Sequence, residues 1–95
     1  MMPVHPGRIL RRELDARNLS ANRLALALRL PSGRMTDILN GKRGISPDTA
    51  LRLARYFGNS ARFWLNLQTA FELAVAERDT GAMIADEVKP FTDAA

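Results

Sequence analysis

The chain has 95 residues, of which 46% are hydrophobic and 25% charged, and its formal net charge is +4. A chain of this length folds as one domain with a modest core, which excludes a deep enclosed active site. Because the sequence has no cysteine, disulfide frameworks and thiolate metal sites are excluded as well. With no signal-peptide pattern and no long apolar run, we expect a cytoplasmic protein that does not associate with membranes.

Charge is distributed unevenly along the sequence. Residues 1–62 contain twelve basic and four acidic residues, a balance of +8, whereas residues 63–95 contain two basic and six acidic residues, a balance of −4. The basic part indicates a polyanionic partner, and the acidic part indicates either plain solvation or a basic protein partner.

Apolar residues spaced by three and four, without strand-like alternation, predict an all-α chain. We expect residues 1–6 to form an extended arm, in which His5, the only histidine, is an ordinary solvated side chain and no catalytic base or metal ligand. A first helix follows as far as about Arg17. The face that this helix buries consists of Ile9, Leu10 and Leu14.

Two short helices are predicted next. Ser20 caps the second helix, since serine accepts a hydrogen bond from a free backbone N–H, and Pro31 ends it because a residue before proline avoids helical dihedral angles. The third helix starts near Ser32 and ends at Asn40-Gly41, two residues that tolerate positive φ. The apolar faces of the two helices are Leu24, Ala25 and Leu28, and Met35, Ile38 and Leu39.

A fourth helix has the clearest boundaries in the sequence. Ser46 is a favourable N-cap, Pro47 fits the first helical position, and Gly58 suits the end. We expect its buried stripe to be Ala50, Leu51, Ala54 and Phe57.

Two short helices joined tightly and followed by a basic turn are typical of helix-turn-helix DNA-binding domains, in which the second helix of the pair enters the major groove. Arg34 can donate two hydrogen bonds to guanine, and Asp37 can accept one from the N4 amino group of cytosine. The amide of Asn40 and the cations of Lys42 and Arg43 can contact phosphates. The alternative is a merely solubilising surface. The predicted DNA-binding residues are Ser20, Asn22, Arg23, Ser32, Gly33, Arg34, Thr36, Asp37, Asn40, Lys42 and Arg43.

The fifth helix, predicted from Ser60 to about Arg78, has too many apolar residues for one face. A small core that wraps around them is one explanation, and a symmetric dimer that buries them is the other. The predicted dimer interface consists of Phe63, Trp64, Leu67, Phe71 and Val75.

The segment ILNGKRGISPDTALRLARYFG, followed by FWLNLQ, resembles the HigA family of addiction-module antitoxins, within the phage-repressor-like (XRE) helix-turn-helix regulators. The resemblance covers roughly residues 5–77. It implies a five-helix fold over residues 7–78 and dimerisation through the last helix. It also implies repression at the operator of the chain's own operon and neutralisation of a HigB toxin, an mRNA-cleaving ribonuclease of the RelE type.

Four positions depart from the wider pattern that this resemblance implies. Arg29 stands where the turn before the third helix usually has glycine, and Ala21 replaces a glutamine that holds a phosphate in many phage repressors. Gly33 offers no side chain for a base contact. Arg8 replaces an acidic residue that often follows His-Pro-Gly.

Residues 79–95 form an acidic segment for which we expect low helical content between Gly81 and Pro90. It either orders on a basic toxin or is a plain flexible terminus. Two further alternatives are a stand-alone regulator without a toxin and an interaction module that has lost DNA binding. No cofactor or enzymatic activity is expected, because the sequence shows no catalytic triad, metal-ligand spacing or phosphate loop.

Overall fold

The computed structural model describes residues 2–92; Met1 of the predicted arm and residues 93–95 of the predicted tail lie outside the described residues. Over this range the chain forms five helices and no strand, as predicted. They are α1 (Pro6–Ala16), α2 (Ala21–Leu28), α3 (Ser32–Leu39), α4 (Pro47–Phe57) and α5 (Ala61–Glu87). No helix in this range is long and apolar enough to cross a membrane.

Side-chain caps fix where four of the helices begin. The hydroxyls of Ser20, Ser46 and Ser60 accept hydrogen bonds of 3.0 to 3.3 Å from the backbone N–H three residues further on, which confirms the predicted starts. For α1 the cap is His5, whose Nδ1 accepts from the Gly7 N–H at 2.9 Å. Each cap satisfies a backbone donor that the helix itself leaves free.

The connection between α2 and α3 has a strained residue at its centre. Arg29 has φ 61° and ψ 41°, the left-handed conformation predicted to be costly for a residue with a Cβ. The Leu30 N–H then donates to the Ala25 carbonyl at 2.9 Å, so Leu30 folds back onto the core. The tight turn is formed without the glycine that would suit it.

We expect Arg29→Gly to raise the free energy of unfolding by about 1 kcal/mol, because glycine adopts the left-handed conformation without a clash. Thermal denaturation followed by circular dichroism measures the change. Arg29→Ala keeps the Cβ and is the control, with little expected change; equal stabilisation by both substitutions would contradict the strain.

The stripe that α4 buries differs from the prediction, which included Leu51 and left out Thr49 and Leu53. Leu51 is 64% exposed, whereas Thr49, Ala50 and Leu53 are buried. Successive helical residues are rotated by about 100°, so the face through Ala50 and Leu53 turns Leu51 outward.

Trp64 was predicted to lie in a dimer interface, and this prediction is wrong. Its side chain is 0% exposed, and its indole Nε1–H donates to Asn59 Oδ1 at 2.9 Å. Because α5 starts against α4, Trp64 in the first turn of α5 points into the core, beside Phe57. Because the Trp64 side chain is completely buried within one chain, it has no surface left to contact a second copy.

The last helix is longer than predicted. It was expected to end near Arg78, but α5 continues to Glu87, so the predicted domain boundary after residue 78 falls inside a continuous helix. One glycine costs a helix only about 1 kcal/mol, and Gly81 is accommodated; Pro90, beyond the C-cap Val88, fits the actual end. A helix of 27 residues spans about 40 Å and supplies most of the length of a molecule that is 61 Å long and 22 Å wide.

Candidate DNA-binding surface

The helix α3 packs its apolar side against the core and turns its polar side outward. Met35 and Ile38 are completely buried and Leu39 is 9% exposed. At Gly33 nothing lies within 4 Å of the position that a Cβ would take, so the backbone of the first turn is open. On the outward side Ser32, Gly33 and Thr36 are exposed, and Arg34 and Asp37 are partly exposed.

The packing of α1 against α3 fixes how far α3 stands out from the core. A Cβ added to Gly7 would lie 2.1 Å from the Ile38 carbonyl oxygen, so only glycine allows the two backbones to approach this closely. The close approach of Gly7 to Ile38 and the packing of Leu30 onto the core together set the orientation of α3.

The basic turn, which we define as residues 40–44, follows α3 directly. Gly41 has φ 76°, and the N–H groups of Gly41 and Lys42 donate to the carbonyls of Ile38 and Asp37 at 3.1 and 2.8 Å. Lys42 and Arg43 are both exposed. The turn therefore presents two cations directly beyond the end of α3.

No carboxylate among residues 2–92 pairs with the cations of this surface. The ion pairs among residues 2–92 join arginines elsewhere to nearby carboxylates, namely Arg17–Glu13, Arg52–Asp48 and Arg78–Asp79. Within the same range, Arg34, Lys42 and Arg43 have no carboxylate partner. Unpaired, solvated cations are the groups that displace condensed counterions from phosphates.

The start of α2 completes the exposed set. Asn22 and Arg23 are exposed, and Ser20 is exposed although its oxygen already caps α2. None of the eleven predicted DNA-binding residues is buried. The surface is therefore accessible to a partner from outside the protomer.

Two residues that the sequence analysis did not assign to this surface hold the basic turn in place. Gln68 of α5 accepts a hydrogen bond from the Ile45 N–H at 2.8 Å, and the His5 ring lies beside Gly41, where an added Cβ would be 3.8 Å from His5 Cγ. His5 stands directly before Pro6 at the first helical position, a pattern from which its capping role was predictable. The bond between Ile45 and Gln68 was not predictable, because no local sequence pattern indicates a contact between residues 23 positions apart.

The partial burial of His5 and its hydrogen bond to the start of α1 affect its protonation. Burial lowers the pKa of His5 below its ordinary value, and the hydrogen bond to the Arg43 backbone opposes part of this shift. Nδ1 serves as the acceptor that caps α1. Protonation removes that acceptor, so the folded state favours the neutral ring.

We expect the free energy of unfolding to fall as the pH drops below about 6.5 and to level off below the pKa of His5 in the folded state. The unfolded chain takes up a proton in this window, and the folded chain resists it. Urea denaturation between pH 5 and pH 8 measures the effect. His5→Asn, a good N-cap that does not titrate, is expected to flatten the profile; identical profiles for both proteins would contradict the assignment.

Four of the five predicted dimer-interface residues remain accessible on α5. Phe63 is 42% exposed, and Leu67, Phe71 and Val75 are partly exposed. Further along the helix, Leu73, Met83 and Ile84 are each at least half exposed. These three lie on α5 outside the residues predicted for the interface.

Comparison with known proteins agrees with this geometry. The helix-turn-helix family profile matches residues 10–64. "Virulence-associated protein I" of Dichelobacter nodosus is 52% identical over 80 residues, which is 83% of this chain and 74% of that protein.

Two solved structures are similar over almost the whole chain. An addiction module antidote protein of a HigA family from Coxiella burnetii is 50% identical with a TM-score of 0.93, and the match covers 96% of this chain and 100% of that one. The Pseudomonas aeruginosa antitoxin HigA with the higBA promoter is 45% identical with a TM-score of 0.92, covering 95% and 99%. The chain belongs to the helix-turn-helix proteins and, within them, to the HigA family.

Proposed function

We propose that this chain is a DNA-binding antitoxin that represses transcription by binding the operator of its own operon as a dimer. The observation that carries the proposal is the exposed polar face of α3, followed by two exposed cations that form no ion pair with any carboxylate of residues 2–92. A fold with a TM-score of 0.92 to a HigA that is described with its promoter supports it. Its site of action is the cytoplasm, where it meets its operator.

In this proposal the residues of the surface divide the work of binding. Arg34, Thr36 and Asp37 meet base edges in the major groove, while Lys42 and Arg43 meet phosphates beside it. Gly33 contributes an open backbone instead of a side chain. The remaining members, which position the domain on the duplex, are Ser20, Asn22, Arg23, Ser32 and Asn40.

The dimer is proposed to form through α5 without Trp64. The accessible apolar residues Phe63, Leu67, Phe71 and Val75 supply its surface. A two-fold dimer presents two copies of α3 to half-sites about one helical turn of DNA apart. An operator with two related half-sites follows from this symmetry.

Neutralisation of a HigB-like, mRNA-cleaving toxin is the second part of the proposed function. A HigA-1 of Vibrio cholerae, 33% identical over 72 residues, is named an antitoxin. The acidic segment of residues 79–92 is a candidate surface for a basic toxin.

Binding to the DNA upstream of the chain's own gene tests the repressor role. A gel shift at nanomolar protein with this DNA, and none with unrelated DNA of equal length, is the expected result. Co-expression with the neighbouring reading frame tests the antitoxin role: growth arrest by that frame alone, relieved by this chain, is expected. If expression of the neighbouring reading frame did not arrest growth, the chain would instead be a stand-alone regulator without a toxin.

A further inference from the structure

We propose that Gln68 is a positioning residue for DNA binding, which holds the basic turn from α5 in the conformation that presents Lys42 and Arg43 to phosphates. This inference rests on the proposed operator binding. It also gives a role to the last residue of the FWLNLQ segment.

The two halves of the basic turn are held differently. Backbone hydrogen bonds from Gly41 and Lys42 close its first half onto the end of α3. The first N–H after the turn, that of Ile45, donates instead to Gln68 Oε1 at 2.8 Å. Ile45 is 3% exposed, so without this acceptor its N–H would be left buried and unpaired.

Gln68 is itself held in one orientation. Its Nε2 donates to Glu72 Oε1 at 2.9 Å, one helical turn further on. This bond fixes which end of the amide is the oxygen, and it directs Oε1 at Ile45. The side chain is therefore a short, doubly anchored link between α5 and the turn.

Gly44 packs directly on this link. A Cβ added to Gly44 would lie 2.7 Å from Gln68 Nε2 and 2.9 Å from its Cδ. A methyl group there requires Gln68 to move, and both of its hydrogen bonds oppose that movement. The absence of a side chain at Gly44 thus keeps the backbone of the turn against the amide.

A second contact holds the same turn from the other side and also originates in α5. Phe71 packs edge-to-face on the His5 ring, with ring centroids 4.8 Å apart, and this ring lies beside Gly41 of the turn, where an added Cβ would be 3.8 Å from His5 Cγ. Gln68 therefore holds the end of the turn through Ile45, and Phe71 supports its beginning through the His5 ring beside Gly41.

The consequence for DNA binding is preorganisation. The side chains of Lys42 and Arg43 are exposed, and in this proposal the Gln68 link keeps the backbone that carries them in the arrangement that binds DNA. Without the Gln68 link the turn populates other arrangements, and the apparent affinity falls in proportion to the fraction that stays competent.

Gln68→Met tests this role because it keeps the length of the side chain and removes the acceptor. Operator affinity, measured by fluorescence anisotropy at several salt concentrations, is expected to weaken about tenfold. The log–log salt slope is expected to stay close to that of the parent protein, because the competent arrangement, once formed, makes the same phosphate contacts. Thr69→Met, an exposed neighbour on α5, is the matched control and should bind like the parent protein.

A double-mutant cycle separates positioning from general destabilisation. Combined with Lys42→Ala and Arg43→Ala, the Gln68→Met substitution should weaken binding no further, because the groups it positions are gone. Gly44→Ala is a second, independent way to disturb the link. It is expected to weaken operator binding about as much as Gln68→Met does, and to cause no further loss when it is combined with Gln68→Met. Circular dichroism at the assay temperature establishes that each variant is folded.

Two results would overturn the proposal while the parent protein binds its operator. One is parental affinity in Gln68→Met, and the other is an equal further loss of affinity when the two cations are absent. A parent protein that binds no DNA of its own operon would instead contradict the proposed function.

Discussion

The triple variant Arg34→Ala/Lys42→Ala/Arg43→Ala is expected to bind the operator at least about a hundredfold more weakly than the parent protein at 0.1 M salt. One lost base contact costs about 1–3 kcal/mol, and each lost phosphate contact adds an electrostatic loss. The salt slope is expected to shrink by about two, since two of the removed cations face phosphates. Anisotropy titrations over a range of salt concentrations measure both quantities.

A matched removal of charge provides the control for this variant. Arg55, Arg62 and Arg78 are exposed cations on α4 and α5, and replacing all three by alanine changes the net charge equally. Near-parental affinity of this control is expected. If both triple variants lost affinity to the same degree, the effect would be one of overall charge, and α3 and its turn would not be the DNA-binding site.

Trp64→Ala is expected to destabilise the protomer by about 3–5 kcal/mol, as the removal of a large buried aromatic side chain does. In a domain of this size that lowers the melting temperature by more than about 12 °C. Thermal denaturation followed by circular dichroism measures the effect. Trp64→Phe keeps most of the ring volume and loses the hydrogen bond to Asn59, so its loss should be smaller.

The same variant discriminates between the two places proposed for Trp64. A residue of a dimer interface would give a folded monomer of normal melting temperature, detectable by sedimentation. A core residue gives an unfolded or strongly destabilised chain. The complete burial of Trp64 predicts the second result, and a stable monomer would contradict it.

Local chemistry explains why most of the fold was predictable. Ser20, Ser46 and Ser60 begin helices through bonds to atoms three residues away, and Gly41 and Gly58 adopt the positive φ that their residue type allows. Such effects depend on short stretches of sequence and little on the rest of the molecule. The exposed face of α3 followed from spacing for the same reason.

The rotation of α5 was not predictable in this way. Phe63, Trp64, Leu65 and Leu67 together cover more than one face of its first turns, so the spacing of the apolar residues alone does not say which of them points into the core. The contact with α4 determines how α5 is rotated about its axis, and in that rotation Trp64 is buried. Helix α5 extends past its predicted end because a single glycine such as Gly81 costs a helix only about 1 kcal/mol, too little to break it.

The anchoring of the basic turn was also beyond sequence reasoning. The bond between Gln68 and the Ile45 N–H joins residues 23 positions apart and exists only once α4 and α5 have packed. The cations at 42 and 43 are visible in the sequence; the groups that hold their backbone are not.

The central claim is that α3 and the basic turn form the surface that meets operator DNA. NMR titration of the 15N-labelled chain with its operator duplex tests this most directly. The backbone amides of residues 32–44 are expected to shift or broaden most, together with those at the start of α2. Unchanged amides over residues 32–44, with the changes concentrated instead on α4 or the end of α5, would contradict the account.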